Sequence, residues 1–333
     1  MNAPTPIQSS APWPLPGRAE IESAAEFLRP LMPPTPQYVW PQIAAAFGTE
    51  VWLKHENHTP IGAFKARSAA MYFEKLLKRE PECRGVITAT RGNHGQAVGL
   101  AARRFKLPAT VYVPHGNSVE KNAAMRALGV HLVEHGDDFQ ESREEAARAG
   151  ERDGLHMVPA FHPDIVLGVT TYWAELFRAA PDLDVIYAPI GQGSGICAAA
   201  AARNAFSPRT KIVGVVSAHA PAISRSFAAR QVVEAPVETK LGDGMACRKP
   251  DPDALAIILA NVSRVVEVTD AELARAMRTI FAMTHNVAEG AGAAAFAAAW
   301  RERGLLAGQR VGITVSGGNV DTNVFAGVLA GKY

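Results

Sequence analysis

Short apolar runs alternate along the chain with longer segments whose apolar residues recur at helical spacing. The runs are EVWLK, GVITAT, ATVYVP, VHLVE, DVIYAPI, KIVGVVS, RVVEV and RVGITVS, and their many valine and isoleucine residues predict β-strands. Because most of them are apolar at successive positions, both faces of each strand should be buried. Helices are expected between the strands, for example from about residue 63 to 79 and after Asn93. The pattern predicts an α/β fold, doubly wound, with parallel sheets covered on both sides.

Polar, glycine-containing loops follow several of the predicted strands. Open α/β sheets bind their ligands at the carboxyl ends of the strands, where the next helices begin. Four loops are expected in such positions: TATRGNHGQAV, APIGQGSGI, GDGMACR and TVSGGNVDT. We therefore expect the functional residues to lie in these loops.

Composition narrows the class of protein. The chain has 333 residues, 48% of them hydrophobic, and a net charge of +2, so it can bury a large core but has no basic stripe for nucleic acid or membranes. No apolar run reaches the roughly 18 residues of a membrane span. The odd number and wide separation of Cys83, Cys197 and Cys247 fit a reducing cytoplasm better than a disulfide framework. Residues 1–20, which begin with a Pro/Ser-rich stretch, should form a flexible arm.

The loop PIGQGSGI has the features of a phosphate-binding turn. Gly191, Gly193 and Gly195 leave backbone amides uncovered at the start of a helix, where unpaired N–H groups and the helix dipole attract an anion. A tight strand-to-helix turn is the alternative. Ile196 replaces the small residue of a dinucleotide fingerprint, and Ser217 stands where an acidic residue is expected. A single phosphate or a mononucleotide is therefore favoured over a dinucleotide.

The loop TATRGNHGQAV has groups that can converge on a carboxylate or a ring hydroxyl. They are the hydroxyl of Thr90, the amides around Gly92 and the side chain of Asn93. An N-cap followed by a glycine turn explains the same residues. His94, at the start of the helix, is expected to be a local hydrogen-bonding group. The other histidines do not form a set with metal-ligand spacing, so no metal site is predicted.

Ser316 ends the last predicted strand, in the stretch TVSGGN. It is placed to meet a ligand rather than to pack, although a turn is again the alternative. Thr314 stands two residues earlier, where the nucleophile elbow of a serine hydrolase has glycine. A serine hydrolase is therefore disfavoured.

Taken in order along the chain, these motifs resemble those of the fold-type II pyridoxal-phosphate enzymes, in particular the serine/threonine dehydratase group. The resemblance extends from about Pro33 to the SGGN that begins at Ser316. LKHENHTPIGAFKARSA matches the K-x-E strand and lysine motif of that group, TATRGNHGQ its asparagine loop, and PIGQGSG its phosphate loop. Lys65 would then be the lysine that binds the cofactor as a Schiff base, a role that needs a deprotonated amine, which burial can provide.

The resemblance assigns residues to the cofactor and to the substrate. The cofactor would contact Phe64, Lys65, Asn93, Gly191, Gln192, Gly193, Ser194, Gly195, Gly244, Glu289 and Ser316, and the substrate would contact Thr90, Arg91, Gly92, Asn93 and His94. Lys65 and Ser316 would be the catalytic residues. Ser316 would face the pyridine nitrogen as a neutral hydroxyl, which makes the ring a weaker electron sink than a carboxylate partner does and favours prompt elimination.

The resemblance also implies a domain organisation like that of the β subunit of tryptophan synthase. A large cofactor-binding domain would comprise residues 1–56 and 160–333, a small mobile domain residues 57–159, and the cofactor would lie in the cleft between them. A homodimer or homotetramer is expected. Because the sequence ends at Tyr333, soon after SGGN, the regulatory domain of biosynthetic threonine dehydratases and its feedback control are not expected.

The reaction implied is α,β-elimination from a β-hydroxy amino acid such as L-threonine, L-serine or 3-phenylserine, giving the 2-oxo acid and ammonia. Arg91 replaces a serine of the family's racemases, and it suits an acidic side chain, so a 3-hydroxyaspartate dehydratase is an alternative. A β-replacement enzyme of the cysteine synthase type is another, although His94 stands where its loop has a second threonine. The joint presence of Lys65, Asn93 and Ser316 disfavours a non-catalytic binding protein on the same scaffold.

Overall fold

Two β-sheets organise the chain in the computed structural model, which describes residues 12–333. The strands are β1 (Gln37–Val39), β2 (Val51–His55), β3 (Val86–Ala89), β4 (Ala109–Val113), β5 (His131–Glu134), β6 (His156–Met157), β7 (Val185–Pro189), β8 (Lys211–Ser217), β9 (Arg264–Val268) and β10 (Val311–Val315). A six-stranded sheet has the order β1-β2-β10-β7-β8-β9, and a four-stranded sheet has the order β5-β4-β3-β6. The strand pairs are parallel except for β1 with β2.

Helices cover both faces of each sheet. They are α1 (Arg18–Leu28), α2 (Pro41–Phe47), α3 (Lys65–Arg79), α4 (Asn93–Phe105), α5 (Val119–Ala127), α6 (Phe139–Asp153), α7 (Pro163–Ala179), α8 (Ser194–Phe206), α9 (Ala222–Ala229), α10 (Pro252–Asn261), α11 (Asp270–Thr284), α12 (Gly290–Glu302) and α13 (Thr322–Leu329). On the six-stranded sheet, α11 and α12 share one core, while α7 and α8 share the other. On the four-stranded sheet, α3 and α4 belong to one core and α6 to the other. The doubly wound, mainly parallel α/β fold is confirmed.

Some local features differ from the sequence expectations. β1 and β6 have three and two residues, too few for a hydrophobic run to mark them. The GDGMACR loop does not follow a strand; it contains a 3-10 turn at Asp243–Met245 between α9 and α10. Residues 18–20 of the predicted arm are helical, since α1 begins at Arg18 and packs against α7. Residues 1–11 of that arm lie outside the described part of the chain.

The strands of the two sheets occupy separate ranges of the sequence. β3 to β6 lie within residues 57–159, and the strands of the six-stranded sheet lie outside that range. Helix α3 lies in the same range but packs against both α4 and α7, so it joins the two halves. The domain boundaries and the mobility of the smaller half stay predictions.

Candidate active site

The glycine-containing loops meet in one cavity of about 160 Å³. Every residue expected at the cofactor or the substrate lines it, namely Phe64, Lys65, Thr90, Arg91, Gly92, Asn93, His94, Gly191, Gln192, Gly193, Ser194, Gly195, Gly244, Glu289 and Ser316. They meet because β3, β7 and β10 end there and helices α4 and α8 begin there. Lys121, Phe139 and Asp243 also line the cavity, and the sequence did not single them out. The structure thus brings the predicted residues together, while their individual roles stay predictions.

The turn that delivers Lys65 is held from two sides. Thr59 Oγ1 accepts a hydrogen bond from the amide of Ala63 at 2.9 Å and donates one to its carbonyl oxygen at 2.7 Å. The amide of Phe64 donates to the carbonyl oxygen of Ser316 at 3.0 Å. The segment between the K-x-E strand and α3 is therefore tied to the end of β10, which fixes where α3 begins.

The amine of Lys65 lies inside the cavity. Its Nζ donates a hydrogen bond to Ser194 Oγ at 3.0 Å and lies 5.4 Å from the centre of the Phe64 ring. Desolvation lowers the pKa of Lys65 from 10.5 to about 8. A nucleophilic lysine must be neutral when it reacts, and this environment supplies the neutral form at mildly alkaline pH.

The first turn of α8 forms a cradle for an anion. Gly193, which precedes the helix, has a φ of 104°, a conformation that residues with a Cβ rarely adopt. A Cβ at Gly191 would lie 2.2 Å from the carbonyl oxygen of Gly244, so only glycine lets the loop meet the 3-10 turn at Asp243–Met245. The first amides of α8 have no partner within the helix, and together with the helix dipole they favour a phosphate.

Asn93 and Ser316 occupy the part of the cavity where the two halves meet. Asn93 Nδ2 donates to Glu289 Oε1 at 2.5 Å, and Asn93 Oδ1 accepts from Asn319 Nδ2 at 2.8 Å. Ser316 is buried, and its Oγ lies 3.5 Å from the carbonyl oxygen of Ala291. That distance is too long for a strong hydrogen bond, so the hydroxyl of Ser316 is available to a ligand.

Thr90 supports its own loop and retains a donor. Its Oγ1 accepts hydrogen bonds from the amides of Gly92 at 2.9 Å and Gly95 at 3.3 Å. The hydroxyl hydrogen of Thr90 is not used in these bonds. It can therefore still donate to a carboxylate bound at the start of α4.

His94 does not form the local hydrogen bond that we expected. Its Nδ1 and Nε2 are both buried and have no hydrogen bond of good geometry within residues 12–333, although the backbone of Val158 lies close enough to interact with the ring. Burial, assisted by the charge of Lys65, lowers the pKa of His94 to about 3, so the ring is neutral. Buried polar groups are normally hydrogen-bonded, and a ligand in the cavity is a natural partner for this ring.

Lys121 is a cavity residue that sequence reasoning missed. Its Nζ lies 3.5 Å from both Glu289 Oε2 and Asp243 Oδ2. The side chain is buried, although it belongs to the first turn of α5. A lysine in the first turn of a short amphipathic helix is ordinarily solvated, and no local pattern marks this one as buried.

A buried ionic cluster anchors the first turn of α3, and its role was also missed. Arg67 Nε donates to Glu56 Oε2 at 2.9 Å, and Arg67 Nη1 donates to Glu175 Oε1 at 2.6 Å. Lys54 Nζ donates to Glu175 Oε2 at 2.5 Å. Lys54 and Glu56 are the K-x-E pair, and Arg67 follows Lys65 by two residues. The spacing of Lys54, Glu56 and Arg67 in the sequence could have indicated an ionic cluster. Glu175 on α7, which bonds to both Lys54 and Arg67, is too distant in sequence to have been found in this way.

Arg91 and Phe139 are two further residues of the cavity lining. Arg91 is exposed, and within residues 12–333 no carboxylate forms an ion pair with it. Phe139 begins α6 and is partly buried. An unpaired guanidinium at the mouth of a cavity can attract an anionic group of a ligand.

Neither a metal-ligating cluster nor a membrane-spanning helix is found in the described part of the chain. Between residues 12 and 333, no group of three or more His, Cys, Asp and Glu side chains is placed to hold a metal ion. No helix in the same range is long and apolar enough to cross a membrane. Cys83, Cys197 and Cys247 are free thiols.

Comparison with known proteins gives concordant results. Residues 28–317 match the family model described as pyridoxal-phosphate dependent enzyme. The L-threonine ammonia-lyase of Thermotoga maritima is 33% identical over 285 residues, which cover 85% of this chain and 70% of that protein. The L-threo-3-hydroxyaspartate ammonia-lyase of Saccharomyces cerevisiae is 30% identical over 320 residues, which cover 96% and 98%.

The solved structure of the processed form of threonine deaminase isoform 2 from Solanum lycopersicum superposes with a TM-score of 0.86. It is 25% identical in sequence, and the match covers 99% of this chain and 98% of the other. The family model spans most of the chain, and the relatives align over nearly all of it. The chain therefore belongs to the family of pyridoxal-phosphate-dependent enzymes.

Proposed function

We propose that the protein is a pyridoxal-phosphate-dependent dehydratase, an ammonia-lyase that converts a β-hydroxy amino acid such as L-threonine, L-serine or 3-phenylserine to the 2-oxo acid and ammonia. The observation that carries the proposal is the position of Lys65. Its amine has a pKa of about 8 and contacts Ser194 at the anion cradle of α8. The names of the relatives, which are ammonia-lyases, support the same reaction class.

The residues in the cavity fit the cofactor. The amides at the start of α8 suit its phosphate, and Lys65 Nζ, next to that cradle, suits its carbonyl carbon. Ser316 Oγ and the amide of Asn93 are polar groups for the ring, and His94 adds a neutral imidazole to the lining of the same cavity. When bound, the cofactor supplies an electron sink that makes the α-hydrogen of an amino acid removable.

Lys65 is the base for that α-hydrogen. With a pKa of about 8, its neutral amine can accept the proton, and Ser194 Oγ accepts a hydrogen bond from Nζ and so orients it. The β-hydroxyl departs with one proton as water, and hydrolysis of the resulting enamine gives the 2-oxo acid and ammonia. Ser316 presents a neutral hydroxyl rather than a carboxylate, which favours this elimination over a long-lived carbanion.

The start of α4 is suited to the substrate carboxylate. The first amides of this helix have no intrahelical partner, and the helix dipole favours an anion at that end. The hydroxyl hydrogen of Thr90 is directed to no other acceptor within the described residues. These donors would hold the substrate with its α-carbon near Lys65, which lines the same cavity.

A 3-hydroxyaspartate dehydratase is the second candidate, and Arg91 favours it. The other lysines and acidic residues of the cavity neutralise each other in part, as Lys121 does with Asp243 and Glu289. Arg91 has no such partner in the described residues, so it can receive a second carboxylate. A β-replacement enzyme of the cysteine synthase type has no comparable support.

Product analysis tests the proposal. The purified protein loaded with pyridoxal phosphate should release ammonia and a 2-oxo acid in equal amounts from at least one of L-serine, L-threonine, 3-phenylserine and L-threo-3-hydroxyaspartate. Lys65→Ala should release neither and should lose the visible absorption of the bound cofactor. Product from O-acetylserine plus sulfide, with none from the four hydroxy amino acids, would establish the β-replacement reaction instead.

Two expectations from the sequence accompany this function. We expect a homodimer or homotetramer, and we expect the enzyme to work in the cytoplasm. Sedimentation of the loaded protein and fractionation of the cells that make it are the corresponding measurements.

A further inference from the structure

The amide of Asn93 has only one possible orientation. An ionised carboxylate accepts hydrogen bonds and donates none, so the Asn93 atom that lies 2.5 Å from Glu289 Oε1 must be Nδ2. Oδ1 then faces Asn319, which donates to it at 2.8 Å. The reverse orientation would place two acceptors, Asn93 Oδ1 and the Glu289 carboxylate, against each other. Asn319 Nδ2 also donates to the carbonyl oxygen of Ile61 at 2.7 Å, so it too is fixed as a donor. Glu289 and Asn319 therefore determine together which side of the Asn93 amide faces which neighbour.

The carboxylate of Glu289 has both oxygens engaged within the protein. Oε1 accepts from Asn93 at 2.5 Å, and Oε2 lies 3.5 Å from Lys121 Nζ. The sequence resemblance placed Glu289 at the cofactor itself. That contact stays a prediction, and the two contacts within the protein show how Glu289 can also act on the cavity through Asn93 and Lys121.

Lys121 offsets the free-energy cost of burying the charged carboxylate of Glu289. Desolvation raises the pKa of Glu289, and Lys121 and Asn93 counteract that rise. Desolvation also works against the ammonium of Lys121, but Glu289 and Asp243 outweigh it and raise the pKa of Lys121. Removing one member of a buried ion pair leaves the other uncompensated, so Glu289 depends on Lys121 to stay ionised.

Two motif glycines make room for this pair. A Cβ at Gly92 would lie 2.5 Å from Cδ of Lys121, and a Cβ at Gly317 would lie 2.4 Å from Oε1 of Glu289. Both distances are far below ordinary van der Waals contact. The loops that supply Asn93 and Ser316 are thus shaped to admit the two charged side chains.

We propose that Glu289, kept ionised by Lys121, is a positioning residue that fixes the amide of Asn93 so that its second N–H is presented to the cofactor ring. Nδ2 carries two hydrogens, and Glu289 takes only one of them. Asn93 lines the cavity, where the other hydrogen can meet the ring hydroxyl. The inference rests on the cofactor site of the proposed function. It concerns how the enzyme holds the cofactor before any substrate binds, and not which substrate reacts.

The test compares Glu289→Gln with Asp243→Asn. Both changes remove one negative charge beside Lys121, but only Glu289 contacts Asn93. In the loaded enzyme, Glu289→Gln should shift the visible absorption maximum, because a neutral amide oxygen holds the Asn93 N–H more weakly than a carboxylate does. The dissociation constant for pyridoxal phosphate should rise by about tenfold or more, since a hydrogen bond to the cofactor is lost. Asp243→Asn, which changes the cavity lining but leaves the bond between Asn93 and Glu289 in place, should shift the absorption maximum less than Glu289→Gln does.

A double-mutant cycle separates action through Asn93 from a direct effect. Asn93→Ala should shift the spectrum and weaken cofactor binding, and adding Glu289→Gln to it should change the dissociation constant by less than about twofold. Lys121→Gln, which leaves the carboxylate in place, should reproduce the spectral shift of Glu289→Gln, and it serves the same purpose if Glu289→Gln does not fold.

Three results would overturn the inference. The first is a change in the dissociation constant on Glu289→Gln that is as large in the Asn93→Ala variant as in the native protein. The second is a spectral shift in Asp243→Asn equal to that in Glu289→Gln. The third is an unchanged spectrum in Lys121→Gln. These measurements need no substrate. They therefore stand apart from product release, whose failure would overturn the proposed reaction and leave this inference in place.

Discussion

Lys65 Nζ lies 3.0 Å from Ser194 Oγ, so the first residue of one helix touches the first residue of another. The two helices come from different halves of the chain, since α3 lies near the start of the four-stranded half and α8 follows β7 of the six-stranded sheet. A nucleophilic amine and an anion cradle are thereby placed side by side. This relationship is the basis of the first prediction.

The rate at which the apoprotein takes up pyridoxal phosphate should rise with pH and level off above about 8. The pKa of Lys65 is lowered to about 8 by desolvation, and only its neutral form attacks a carbonyl. Below that value the rate should fall by about tenfold per pH unit, as the fraction of neutral amine does. Stopped-flow absorbance between pH 6 and 9.5 measures it. Nα-acetyllysine is the control, and its rate should keep rising toward about pH 10.4; a protein rate that also rises without a break to pH 9.5 would contradict the prediction.

Ser316→Asp should change the balance between proton exchange and elimination. A carboxylate opposite the ring nitrogen keeps it protonated and strengthens the electron sink, so exchange of the α-hydrogen with solvent deuterium should increase relative to ammonia release. Ser316→Ala, which adds no charge to this buried position, is the matched comparison and should not raise that ratio. NMR of the substrate in deuterium oxide gives exchange, and ammonia release gives elimination. An unchanged ratio in the Asp variant would show that Ser316 does not face the ring nitrogen.

Arg91→Ala should reduce activity on an acidic substrate selectively. If Arg91 pairs with the second carboxylate, kcat/KM for L-threo-3-hydroxyaspartate should fall by about tenfold to a hundredfold, which is the size of a lost charged hydrogen bond. The value for L-threonine should change little. Arg103→Ala removes an equal charge from an exposed position of α4 and serves as the control. Equal losses on both substrates in Arg91→Ala would exclude a role for Arg91 in specificity.

Arg67→Met should destabilise the protein strongly. Arg67 is 1% exposed and bonds to Glu56 and Glu175, and breaking a buried ion pair by removing one partner costs about 3–5 kcal/mol. Arg126→Met, which breaks an exposed pair with Glu134, should have little effect. Denaturant unfolding of both apoproteins compares their free energies of unfolding. A similarly small decrease in the free energy of unfolding of both variants would show that the cluster around Arg67 does not hold the start of α3.

The hydrophobic pattern was sufficient for most of the fold because the six inner strands of the two sheets are buried at almost every position. Runs such as KIVGVVS and RVGITVS are buried at almost every position, and that is the feature that distinguishes a central parallel strand. β6 has only two residues and β1 is a three-residue edge strand, so neither contains enough residues to show a period. Their pairing depends on neighbours that only the tertiary structure provides.

The candidate site was predictable where a motif lies in one loop and was not where contacts join distant segments. Lys65, Asn93 and Ser316 stand in short, distinctive stretches of sequence. Lys121 lies on an ordinary amphipathic helix, and its burial results from Glu289, which is 168 positions later (289 − 121). His94 was expected to bond locally, but its ring nitrogens are buried and make no hydrogen bond of good geometry within residues 12–333. The structural preferences of a short segment do not predict contacts between residues that are distant in sequence.

Ser316 uses its two polar groups for separate purposes. Its carbonyl oxygen receives the amide of Phe64 and so restrains the turn before Lys65, while its hydroxyl makes only a long contact within the protein. Because the amide of Phe64 bonds to a backbone carbonyl oxygen, this hydrogen bond does not depend on the side chain at position 316. With the hydroxyl at the cofactor ring, as we propose, a substitution at position 316 would change the electronic character of the site without releasing Lys65 from its place. Reaction type and cofactor attachment would then be independently variable in this scaffold.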